Sequence, residues 1–94
     1  MSTIDQIVVK IIKEQELIIG PLAWAQAEKV QGLHITDRKS GVVSIDEGNA
    51  SSVVDRLVNQ YERLFGRASV EVCREAVAPF LRDLAPTEVP SSLK

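Results

Sequence analysis

The chain has 94 residues and a mass of 10.3 kDa, with 45% apolar residues, 26% charged residues and a net charge of −2 at pH 7. That length holds one hydrophobic core, and the apolar fraction excludes an intrinsically disordered chain. A mean hydropathy of +0.03 without a long apolar run excludes a membrane-spanning helix, and a pI near 5.3 gives no general attraction for phosphate, so nucleic acid is disfavoured as a partner.

A single cysteine, Cys73, permits no intramolecular disulfide. The opening MSTIDQ has neither the basic start nor the apolar stretch of a secretory signal, so a cytoplasmic protein is expected.

From Thr3 to Ile19, apolar residues at Ile4, Ile7, Val8, Ile11, Ile12, Ile18 and Ile19 recur with the spacing of an amphipathic helix. Thr3 and Gln6 resemble a capping box, and Asp5 suits the positive end of the helix dipole. Gly20 is placed to end this helix in a left-handed turn, and Pro21 to begin a second one reaching about Gln31. Its seam of Ala23, Ala27 and Val30 lets two helix axes approach closely, with Trp24 anchoring the contact and Gly32 closing the helix.

Between Leu33 and Ile45 the period shortens, with Leu33 and Ile35 against Val43 and Ile45 and a turn-forming stretch, Asp37 to Gly41, between them. This predicts a β-hairpin. Two short strands are marginal alone, so the hairpin must lean on helices or on another chain.

A loop at 46–49 leads to a third helix, capped by Asn49 or Ser51. Val54, Leu57, Val58, Tyr61, Leu64 and Phe65 form its stripe, and Gly66 ends it. A fourth helix from about Ser69 carries Val70, Cys73, Ala76, Val77, Phe80, Leu81 and Leu84, with a kink or break expected at Pro79. The fold class is therefore α+β and mainly helical, in the order α-α-β-β-α-α, with the last two helices an antiparallel pair. Residues 1–84 form the domain, and 85–94 read as a disordered tail.

No residue pattern calls for a metal, a cofactor or a catalytic role. His34 lacks a second histidine or cysteine to share a zinc ion. Cys73 lies on an apolar stripe, where a thiol behaves as a small buried hydrophobe, and no base is placed to activate it. Glu14, Glu16, Glu71 and Glu75 fall on helix faces rather than in a cleft, and the five glycines are scattered at turns.

Arg38 and Lys39 at the hairpin tip raise the alternative of a winged-helix-like DNA-binding regulator, with Arg56, Arg63, Arg67, Arg74 and Arg82 on the later helices. Only two helices precede the hairpin, whereas a wing normally follows three, and interleaved acids cancel the field. What remains is an apolar surplus that a small domain struggles to cover, and such patches mark protein interfaces. A homodimer, with Leu22 and Trp24 as anchors and Arg38 and Lys39 adding orientation, is the expected use of that surplus.

The segment Ile18-Ile19-Gly20-Pro21-Leu22-Ala23 resembles the Ile-Gly-Pro-Ile/Leu-Ala signature of small helical modules near the ends of bacterial signalling proteins. The resemblance implies a regulatory interaction module without catalytic residues.

Overall fold

The computed structural model describes residues 3–46, 50–84 and 89–93. Its elements are α1 (Thr3–Ile19), α2 (Leu22–Ala27), β1 (Leu33–Asp37), β2 (Val42–Ile45), α3 (Ala50–Phe65), α4 (Ala68–Leu81) and a closing 3-10 turn, Ser91–Leu93. The order is the α-α-β-β-α-α expected from the sequence, and helix predominates.

Helix α1 is the central element, packing against α2, α3, β2 and, most extensively, α4. Ile7, Val8, Ile11 and Ile12 are fully buried, as their spacing requires. Burying each such side chain contributes roughly 1.5–3 kcal/mol, which outweighs the small helix-propensity cost of β-branched residues.

Gly20 adopts φ +70° and its N–H donates to the Glu16 carbonyl at 2.8 Å, so the chain leaves α1 through a left-handed cap. Pro21 then leads into α2, which is six residues long and stops well before Gln31. Beyond Ala27 the backbone tightens: Lys29 donates to Gln26, Val30 to Ala27 and Leu33 to Val30, each reaching three residues back. These turns carry Val30 into the core, and Gly32, at φ +89°, redirects the chain into β1.

The hairpin pairs Leu33 with Ile45, His34 with Ser44 and Ile35 with Val43, then shifts register so that Asp37 faces Val42. Leu33 and Val43 point inward while His34 and Ser44 point to solvent. Gly41 is buried against α1, where an added Cβ would lie 3.2 Å from both Val9 Cγ1 and Lys13 Cε. The hairpin therefore leans on α1 and supplies one wall of the core.

In α3, Val53, Val54, Leu57, Val58 and Tyr61 are buried, and the Tyr61 hydroxyl donates to the Ala23 carbonyl at 2.7 Å, tying α3 to α2. Leu64 and Phe65, expected on the same stripe, are exposed at its end. Ser51 lies inside α3 rather than before it, and Asn49 lies outside the described residues. Helix α4 packs on both α3 and α1. It continues past the exposed Pro79 and ends two residues later, at Leu81.

Part of the expected disordered tail is ordered. Residues 89–93 return to the helices, with Pro90 fully buried and Leu93 only 3% exposed, while 85–88 and 94 lie outside the described residues.

Candidate interaction surface

The corner between α1 and α2 sets the surface chemistry of one end of the molecule. Trp24, expected as an exposed anchor, is instead buried at 3% exposure, and its Nε1 donates to Glu16 Oε2 at 2.8 Å. It joins the two helices rather than offering a surface. In a helix of six residues flanked by α1 and α3, the side that carries Ala23, Trp24 and Ala27 is all needed inside.

Leu22 is 45% exposed, and beside it along the chain Leu17 and Ile18 stand out at 81% and 62% exposure. Leu17 and Ile18, together with Val72 and Ala76 of α4, line an open groove of about 550 Å³ whose polar rim is Lys10, Glu14 and Glu75. Lys10 and Glu14 pair at 2.9 Å across one turn of α1. Leu17 was missed from sequence, although it left a signal. The buried series Ile7, Ile11, Ile12 and Gln15 passes it by, so a large apolar side chain there has no inward direction.

At the hairpin tip the two expected basic residues differ. Arg38 donates from both Nε and Nη2 to Glu28 Oε1, so its guanidinium is held against the end of α2. Lys39 is exposed and its backbone N–H donates to Asp37 Oδ1 at 2.9 Å. That turn, with the Ser40 hydroxyl as the largest contributor and the Lys39 and Ser40 amides behind it, holds the Asp37 carboxyl below its ordinary value. His34 lies on the solvent face, where its Nε2 hydrogen-bonds with Asp46 Oδ1 at 2.8 Å.

A second groove, of about 490 Å³, runs between the turns after α2 and the outer face of α3 and is lined by Lys29, Arg56, Arg63, Asn59 and Gln60. Its arginines are engaged within the fold: Arg56 donates to the Gln31 carbonyl at 3.2 Å and Arg63 to Gln60 Oε1 at 2.7 Å.

Cys73 lies in the core between α1 and α4. Gln15 Nε2 donates to its sulfur at 3.4 Å and to the Ser69 carbonyl at 3.2 Å, while Gln15 Oε1 has no hydrogen-bond partner among the described residues. Burial pushes the thiol pKa up to about 11, opposed in part by the Gln15 amide, so the sulfur is protonated at neutral pH. Among the described residues no three of His, Cys, Asp and Glu converge to hold a metal ion, and no helix is long and apolar enough to cross a membrane.

The last described segment, 89–93, is held by partly buried polar contacts. Asp55 Oδ1 accepts from the Ser92 backbone N–H at 2.9 Å and from the Ser92 hydroxyl at 2.6 Å. Arg74 Nε donates to the Ser92 carbonyl at 3.3 Å, with the same guanidinium reaching Glu71 Oε1 at 3.2 Å. Sequence gave no local sign of this, since Asp55 and Ser92 are separated by 37 residues.

No family model, no curated protein and no solved structure matches this chain.

Proposed function

We propose that this protein is a small non-catalytic protein–protein interaction module with a regulatory or assembly role in the cytoplasm, and that it self-associates through the end of α1. The observation that carries the reading is the exposure of Leu17 and Ile18, at 81% and 62%, with Leu22 beside them at 45%. Large exposed side chains keep apolar area in water, and covering them with a partner gains about 25 cal/mol for each Å² removed.

The working residues in this reading are Leu17, Ile18 and Leu22 as anchors, while Trp24 is buried and bonded to Glu16. Lys39 remains available for orientation, whereas Arg38 is already engaged by Glu28. The charged lining of the groove is the Lys10–Glu14 pair on α1 and Glu75 on α4. The resemblance of Ile18–Ala23 to helical modules of bacterial signalling proteins points the same way.

The test is absolute mass by light scattering over a wide concentration range, on the wild type and on a Leu17→Lys/Ile18→Lys variant. A wild-type dimer and a monomeric variant with an unchanged thermal melt support the reading. A wild-type chain that stays monomeric up to millimolar concentration overturns self-association.

A further inference from the structure

The groove between α3 and α4 that receives residues 89–93 has the features of a recognition site. Pro90 and Leu93 fill its apolar floor, and Ser92 is gripped at three atoms: hydroxyl and backbone N–H by Asp55, carbonyl by Arg74. The Leu93 N–H is satisfied within the segment by the Pro90 carbonyl at 3.0 Å. A proline brings no N–H into the floor, so it can be buried there without leaving a donor unpaired. The carboxylate makes charge-assisted bonds, stronger than those between neutral groups, and its bond to a hydroxyl distinguishes serine from alanine. Because α3 and α4 also pack directly on each other and on α1, the groove has support that does not depend on its occupant.

We infer that the α3–α4 groove is a binding site for a Pro-x-Ser-Leu segment of a partner protein, held closed by the chain's own Pro90–Leu93. The intramolecular occupant is tethered to the end of α4 through residues 82–88 and acts at an effective concentration on the order of millimolar. A segment of the same chemistry gains access when the tethered one is weakened. The site uses residues distinct from Leu17 and Ile18, so either proposal can fail without the other.

The experiment uses full-length chains and a fluorescent peptide, Val-Pro-Ser-Ser-Leu, followed by anisotropy. The wild type should bind it weakly. Leu93→Ala removes one of the two apolar side chains that hold the tethered segment and should raise affinity at least tenfold, and Ser92→Ala, a milder change, should raise it severalfold. Adding Asp55→Ala to either variant should abolish the gain, and a peptide ending in alanine should not bind. Circular dichroism establishes folding, and if Leu93→Ala does not fold, Ser92→Ala decides. Equal affinity in the wild type and the folded strap variants overturns the inference, as does binding that survives Asp55→Ala.

Discussion

Trp24 Nε1 donates to Glu16 Oε2 at 2.8 Å across the corner made by Gly20 and Pro21, so the indole of one helix holds the last turn of the helix before it. This makes Trp24 a structural residue. Trp24→Ala should destabilise the fold by about 3–5 kcal/mol through loss of packing and the cavity left behind. Trp24→Phe should retain more of the packing but lose the hydrogen bond. Thermal melts should therefore rank wild type, Phe and Ala in descending order, and a wild-type melt for Trp24→Ala would refute the burial argument.

Two glycines with the same sign of φ should differ sharply on substitution. At Gly32, φ is +89° and an added Cβ would lie 2.8 Å from Val53 Cγ2, a methyl of a fully buried side chain. Gly32→Ala combines backbone strain of about 1–2 kcal/mol with overpacking of about 1–3 kcal/mol. At Gly20, φ is +70° but the space is open, so Gly20→Ala should cost only the backbone part. Urea midpoints compared at equal slope test this, and equal losses at the two sites would show that Val53 yields freely.

Alkaline pH should weaken the fold. Burial raises the Cys73 thiol from an ordinary value near 9 to about 11, and burial raises the Tyr61 phenol as well, with Cys73 adding a smaller push. Both groups are neutral in the folded state, so above pH 9 the unfolded chain releases protons first and binds fewer. Stability is thus fully present below pH 9 and falls as pH rises through 11, by on the order of 2 kcal/mol from Cys73. Urea unfolding at pH 8 and pH 11 should show the fall, and Cys73→Ala should lessen it. A stability unchanged between those pH values would contradict the assignment.

The architecture was legible because α1, α3 and α4 each repeat apolar residues with one period over several turns, and Gly20, Gly32 and Gly66 mark true reversals. The length of α2 was not, since nothing local stops a helix at Ala27. It ends there because Val30 must turn inward to meet the core and Gly32 must approach Val53. Trp24 is legible as the anchor between the first two helices, which it is, but composition does not tell whether the same ring also faces a partner, and burial at 3% exposure removes that second role. Residues 89–93 were missed because their attachment depends on Asp55, and a polar stretch with two prolines nearby carries no period to read.

The extensive packing of α1 on α4 joins two elements from opposite ends of the described chain. During synthesis the isoleucine-rich face of α1 leaves the ribosome long before its main cover exists, and contacts so distant in sequence form late because a long loop must close first. The N-terminal half is thus the segment that a holding chaperone would meet. Completion of α4, rather than of α1, is the event that shields it from aggregation.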